Sequence, residues 1–170
     1  MVGHRAKRPS IEKLKSRNKR QIDSMPWTLG LVEAMGAIEL IDRQNLETKS
    51  RISLILLDSN FEIALKEFIV HRTDLFPIGT YNNAKIEHIF SRRHLVINEI
   101  MSKIAIPKEL LTKAQHYYGL RNKLVHERAT VDVADRDIKN YRSVVGKILR
   151  GGLGCLNRIS ASISGASAGG

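Results

Sequence analysis

Three polar side chains that could act on a phosphodiester lie within six consecutive residues, near the end of a predicted helix. Arg121 and Asn122 are adjacent, and His126 follows Asn122 by four residues, which places the amide and the imidazole on one helix face. Arg121 interrupts a stripe of apolar residues on the same helix, formed by Leu110, Ala114, Tyr117, Leu124 and Val125. Such a break in the local pattern is expected at functional sites.

These residue types are sufficient to cleave RNA without a metal ion, because the 2′-OH of RNA supplies the nucleophile. Histidine has a reference pKa of about 6.5 and can accept or donate a proton near neutrality. Arginine stays charged and presents a fork that fits phosphate oxygens, while Asn122 could hold the phosphate or fix the His126 ring. One histidine cannot easily be base and acid at the same moment. A two-fold dimer would solve this by bringing two copies of Arg121 and His126 to one cleft.

The arrangement resembles the motif of the HEPN superfamily, in which an Arg and a following polar residue precede a His near the end of a helix. Members are small helical domains, and many are metal-independent endoribonucleases that act as dimers with the motif at the interface. The resemblance implies catalytic roles for Arg121, Asn122 and His126, and a homodimer with RNA as its substrate. It also implies a toxin or anti-phage defence effector, with an antitoxin or regulatory protein as a further partner. Tyr118 lies on the Asn122 face and is assigned to the residues that orient the site; Gly119 would permit close approach of a second copy.

A carboxylate is expected to orient Arg121. Asp58 and Glu62 lie inside the most hydrophobic segment of the chain, and buried charges need partners. In one interpretation Glu62 pairs with Lys66 at i+4 on an exposed strip. In the other, Glu62 or Asp58 meets Arg121 across the bundle. HEPN-like domains often carry an acidic residue in this second helix, and residues 61–66 look similar.

The formal net charge of +11 is concentrated at the N-terminus, where the first twenty residues hold eight Lys and Arg against one acid. We predict that residues 1–24 form a basic, flexible arm, which either contacts RNA phosphate or only solvates the chain. The candidate RNA-binding residues lie in this arm, beside the motif and in a basic patch further along the chain: Arg17, Lys19, Arg20, Arg92, Arg93, Lys123 and Arg128.

The elements that position these residues are helices. Apolar residues recur at helical spacing over residues 27–43, 47–71, 84–104 and 107–128, and in a fifth segment for which Asp132 is the candidate N-cap. The pattern predicts an all-α, antiparallel helical bundle of about five helices, HEPN-like in arrangement. We place this domain at residues 25–159, followed by a flexible Ser/Gly/Ala-rich tail at residues 160–170.

Several other function classes are disfavoured. A single cysteine, Cys155, excludes a disulfide framework, and the six histidines show no metal-ligand spacing, so we expect no metal and no cofactor. No apolar run is long enough for a membrane span, and a cytoplasmic setting fits best. Two alternatives stay open. One is a catalytically silent HEPN-like dimerisation or partner-binding module, and the other is a basic helical protein that binds nucleic acid without chemistry.

Overall fold

The computed structural model describes residues 11–126 and 131–154, and all regular secondary structure in these ranges is helical. A 3₁₀ turn spans Pro26–Thr28, and a π-helix spans Ile148–Gly152. The prediction of an all-α helical bundle is confirmed. Within the two described ranges, no helix is long and apolar enough to cross a membrane. The α-helices are α1 (Ile11–Arg17), α2 (Lys19–Ser24), α3 (Leu29–Ile41), α4 (Lys49–His71), α5 (Asn83–Phe90), α6 (Arg93–Met101), α7 (Lys108–His126) and α8 (Asp135–Lys147).

The longest helix, α4, is the centre of the bundle. Helix α3 runs antiparallel to it, because Trp27, just before α3, stacks on His71 at the end of α4, while Asp42, just after α3, accepts a hydrogen bond from Ser53. Helix α8 starts beside the beginning of α4, where the Ser50 hydroxyl donates to Asp135 at 2.5 Å. The buried face of α4 supplies much of the core, including Leu54, Leu57, Phe61, Leu65 and Phe68.

The prediction of a single helix over residues 84–104 is wrong in one respect. This segment forms two helices, α5 and α6. The break lies at Ser91 and Arg92, where the Arg92 backbone is extended (φ −145°, ψ 133°). Helix α5 begins at a conventional cap, in which the Asn82 side chain accepts the Lys85 N–H at 3.0 Å. Apolar spacing continues through the break, so the sequence pattern did not mark it. The new start of α6 turns Arg93 into the core, where it is only 6% exposed.

The predicted basic arm over residues 1–24 contains regular helix in its described part. Residues 11–24 form α1 and α2, and Leu14 is buried against the core. Close packing is possible because α3 has Gly36 opposite Ile11, where a Cβ would lie 2.8 Å from the Ile11 side chain. An ion pair of 2.7 Å between Lys15 and Glu33 adds to this contact. A seven-residue helix shows too little periodicity to reveal in advance that another helix will cover it. Residues 1–10 lie outside the described ranges.

Helices α7 and α8 differ from the predictions at their ends. Val125, which was predicted to belong to the buried stripe of α7, is 47% exposed. Asp132 does not cap α8, which begins instead after Ala134, where the Ala134 N–H donates to the Asp137 carboxylate at 3.0 Å. The predicted domain end at residues 155–159 and the predicted tail at residues 160–170 fall outside the part of the chain that the structure describes.

Candidate functional site

A buried cluster of polar side chains surrounds Asp58, in the middle of α4. Asp58 is fully buried, and its Oδ1 accepts hydrogen bonds from Arg93 Nη1 at 2.7 Å and from the Tyr141 hydroxyl. Its other oxygen, Oδ2, lies 3.8 Å from Nε of Arg121. One carboxylate on α4 therefore ties together α6, α7 and α8.

Aromatic rings enclose this cluster. The Arg93 guanidinium lies 4.4 Å from the ring centroid of Tyr118, and the Tyr141 ring stacks on Tyr117 at 4.5 Å between centroids. Burial raises the pKa of Tyr141, and the charge of Asp58 raises that pKa further. The Tyr141 hydroxyl is therefore kept protonated and serves as a hydrogen-bond donor to the carboxylate.

The cluster carries more positive than negative charge, because two guanidiniums share one carboxylate. The Arg93 side chain is 3% exposed and forms the close ion pair, whereas the Arg121 side chain is 23% exposed and stands further from Asp58. At 3.8 Å, Arg121 Nε and Asp58 Oδ2 are too far apart for a hydrogen bond, and both atoms are buried without a hydrogen-bond partner among the described residues. The excess charge therefore resides at Arg121, where the cluster meets the surface.

The motif residues continue from this point along α7. Arg121 Nη1 donates to Oδ1 of Asn122 at 3.0 Å, so the two neighbours are in direct contact. His126 is the last residue of α7 and is exposed, five residues beyond Arg121, or about 7.5 Å along the helix axis. Five residues correspond to about 140° around the helix axis, so the Arg121 guanidinium and the solvent-accessible His126 imidazole leave α7 in different directions. Together with the Asn122 amide, they are nevertheless the types of group that bind a phosphate and move a proton.

Of the two carboxylates proposed to orient Arg121, only Asp58 faces it. Glu62 is 2.8 Å from Lys66 at i+4, which is the alternative pairing considered from the sequence. The assignment of Glu62 to the site is therefore wrong, because Glu62 and Lys66 lie on one strip of α4 and satisfy each other there. Tyr118 touches the cluster through its contact with Arg93.

The structure separates the candidate RNA-binding residues into two groups. Arg93 cannot contact RNA phosphate in this fold, because its guanidinium is buried against Asp58, and that prediction is wrong. Arg92 and Lys123 are exposed, as are three residues on the first two helices, Arg17, Lys19 and Arg20. Arg128 lies outside the described residues.

Sequence reasoning missed two members of the cluster. It assigned Arg93 to RNA binding and did not recognise it as a buried cation, and it did not assign Tyr141 to the site at all. A signal for each existed: Asp58 was a buried carboxylate in need of a partner, and a buried tyrosine needs one for its hydroxyl. The pairing itself joins residues 35 and 83 positions apart, which no local pattern encodes.

A metal centre is not visible in the described ranges, where no three His, Cys, Asp or Glu side chains are grouped so that they could hold an ion. Comparisons of this chain with family models, with curated proteins and with solved structures found no match. Proposals about its function therefore rest on the motif and on the geometry around Arg121.

Proposed function

We propose that this protein is a metal-independent endoribonuclease of the HEPN type. The observation that carries the proposal is the excess positive charge at Arg121, which Asp58 and Asn122 hold at the edge of the core. A phosphodiester gains negative charge as the 2′ oxygen attacks it, and a fixed guanidinium stabilises that charge more strongly than it stabilises the starting ester.

Each motif residue has a role in this reaction. The 2′ oxygen attacks phosphorus as its proton passes to a base, and the bond from phosphorus to the 5′ oxygen breaks as that oxygen receives a proton. Arg121 contacts the phosphate oxygens, and Asn122 positions either the phosphate or the imidazole. His126 performs one proton transfer and the partner subunit's His126 performs the other, because a single imidazole cannot do both at once.

A homodimer formed through α7 supplies the second imidazole. The Asn122 face of α7 also carries Gln115, and Gly119 lies beside it; a Cβ added at Gly119 would meet nothing within 4 Å. This open surface allows a second α7 to approach closely, as expected for an isologous contact. RNA bound between the two copies would meet two guanidiniums and two imidazoles.

The motif resemblance also supports a biological role as a toxin or anti-phage defence effector in the cytoplasm, restrained by an antitoxin or regulatory protein. Induced expression of the wild-type chain should then arrest bacterial growth, while expression of His126→Ala should not. Equal growth of both strains at equal protein levels would contradict this role.

One observation favours a second candidate, a silent partner-binding module. The α4 face opposite the core exposes Ile52, Ile55, Ile63 and Val70, which are 42%, 37%, 54% and 47% exposed and recur at helical spacing. Exposed apolar rows of this kind are typical of protein-binding surfaces. A module of this kind would bind a protein through α4 and would leave RNA intact.

The decisive experiment measures cleavage in the presence of a chelator. The purified chain is incubated with tRNA and with mixed RNA in excess EDTA, beside His126→Ala and the control His88→Ala. Both histidines are exposed, so neither substitution should disturb the core, and His88 lies on α5 outside the motif. We expect cleavage by the wild type and by His88→Ala, and a loss of at least about 100-fold for His126→Ala, the lower end of a general acid–base contribution.

Three outcomes would contradict the proposal. Equal cleavage by all three proteins would indicate a contaminating nuclease, and cleavage abolished by EDTA would indicate a metal-dependent reaction. RNA binding without cleavage would favour the basic nucleic-acid binder. Arg121→Ala is a supporting variant, provided that its unfolding transition shows that the cluster around Asp58 still folds.

A further inference from the structure

Helices α7 and α8 leave a groove between them on a different side of α7 from Asn122 and His126. One cavity of about 500 Å³ lies between the two helices, and a second of about 470 Å³ continues it towards the π-helix. The two cavities share Leu110 and Lys147, so they lie next to each other. We call these two adjoining cavities the α7–α8 groove; the polar side chains that line it include Lys113, His116, Asn140, Ser143, Lys147 and Arg150.

Positive charge dominates the α7–α8 groove. Among the residues that the structure describes there, Lys113, Lys147 and Arg150 line it, against one acid, Glu109. The Glu109 carboxylate lies 2.5 Å from the Lys113 ammonium, so that its charge is offset within the groove wall. Arg150 Nε donates to the Gly146 carbonyl at 3.1 Å, which fixes the base of the guanidinium at the groove. The net positive charge suits an anionic ligand.

The groove also offers groups that recognise a base. The exposed His116 ring lies edge-on to Tyr117, with centroids 5.1 Å apart and planes at 76°. The amide of Asn140 and the hydroxyl of Ser143 line the same wall. Unstacked bases of single-stranded RNA stack on such rings and bond to such polar groups, whereas duplex bases do not reach them.

The end of the groove is built from irregular backbone. The π-helix Ile148–Gly152 forms it, and short π segments are frequently found at functional sites. Gly151 lines the cavity, and a Cβ there would meet nothing within 4 Å, so its backbone is open to a ligand. Close approach of a ligand to the main chain is a common use of glycine.

We infer that the α7–α8 groove binds a single-stranded stretch of RNA, with phosphates near Lys147 and Arg150 and a base stacked on His116. Lys113 is eight residues before Arg121, about 12 Å along the axis of α7. The groove would therefore hold part of the RNA substrate away from the bond that is cut. The inference extends the proposed function, but it can be tested without cleavage.

The test measures the affinity of the full chain for a labelled, single-stranded 2′-O-methyl oligoribonucleotide, which has no free 2′-OH and cannot be cleaved by the proposed reaction. Fluorescence anisotropy is recorded over a range of salt concentrations for the wild type, Lys147→Gln and Lys139→Gln. Lys139 is the matched control, since it is exposed on the same helix and does not line the groove. Removing one phosphate contact should reduce the salt slope by about 0.7 and weaken binding about fourfold at about 0.15 M salt.

Substitution of His116 tests the base contact. His116→Ala should weaken binding by about fivefold or more, while His116→Phe, which keeps a ring, should bind as the wild type does. The inference would be overturned if Lys147→Gln and Lys139→Gln had equal affinity for the oligoribonucleotide and equal salt slopes. It would also be overturned if His116→Ala bound the oligoribonucleotide as tightly as the wild type. A labelled acidic peptide is titrated in the same assay. If Lys147→Gln lost affinity for that peptide while its RNA binding stayed unchanged, the groove would be a protein-binding site, and this result would also overturn the inference. A protein that binds RNA in the groove but never cleaves it would reject the nuclease proposal alone.

Discussion

Replacing Asp58 by Asn keeps the shape of the side chain and removes the charge at the centre of the buried cluster. Asp58 has no exposed surface and receives hydrogen bonds from Arg93 at 2.7 Å and from the Tyr141 hydroxyl. The Arg93 side chain is only 3% exposed. Asp58→Asn would therefore leave a buried guanidinium without a counter-charge.

The expected cost is large. Removing one partner of a buried ion pair destabilises a protein by about 3–5 kcal/mol, against a total stability of about 5–15 kcal/mol. For a chain of this length each kcal/mol lowers the melting temperature by roughly 2–4 °C, so Asp58→Asn should melt roughly 6–20 °C lower than the wild type.

Arg121→Gln provides the comparison. The Arg121 side chain is 23% exposed and its Nε has no hydrogen-bond partner in the described ranges, while Asp58 keeps Arg93 and Tyr141 in this variant. We expect a loss below about 1.5 kcal/mol, the value of an ordinary hydrogen bond. Arg93 would then serve stability, and Arg121 would be retained for its charge at the surface.

Urea unfolding followed by circular dichroism measures both losses, with the unfolding slope checked for equality among the variants. The reasoning is refuted if Asp58→Asn loses less than about 1 kcal/mol, the typical effect of an arbitrary substitution. It is refuted equally if Arg121→Gln costs as much as Asp58→Asn, because Arg121 would then be a structural partner of the carboxylate.

Three further predictions concern other parts of the fold. Burial and a hydrogen bond to Glu99 raise the pKa of Tyr81 from 10.0 to about 12, so between these pH values the folded chain keeps a proton that the unfolded chain loses. The free energy of unfolding should therefore fall between pH 10 and 12. Urea unfolding should show a shallower fall in Tyr81→Phe. Leu14→Ala should destabilise the chain by about 2–5 kcal/mol in the same assay, since Leu14 is 4% exposed; a loss below about 0.5 kcal/mol would show that α1 is not part of the folded unit. Gly119→Ala should stabilise the monomer by up to about 1 kcal/mol, since the added Cβ would meet nothing within 4 Å. Gly119→Arg should abolish the proposed dimer, as measured by light scattering. A Gly119→Arg variant that is dimeric and fully active would exclude this face of α7 as the interface.

The sequence by itself determined the helical character of this protein and the position of most helices. The spacing of apolar residues predicted α3, α4 and α7 to within a few residues, because one face of each is buried along its whole length and periodicity reports that burial directly. It also identified Arg121 as a cation out of place in an apolar stripe and Asp58 as a carboxylate in need of a partner. Both inferences depend only on the local helical repeat.

Only the tertiary structure decided which groups meet. Asp58 and Glu62 are one helical turn apart, and although Lys66 at i+4 offers Glu62 a local partner, the sequence left open which of the two carboxylates faces Arg121. The burial of Arg93 depends on a break between α5 and α6 that apolar spacing passes over, and the burial of Leu14 depends on a contact with α3. Helical periodicity states which side of a helix is covered but not by what, because the covering residues lie tens of positions away and are fixed by the packing of the whole bundle.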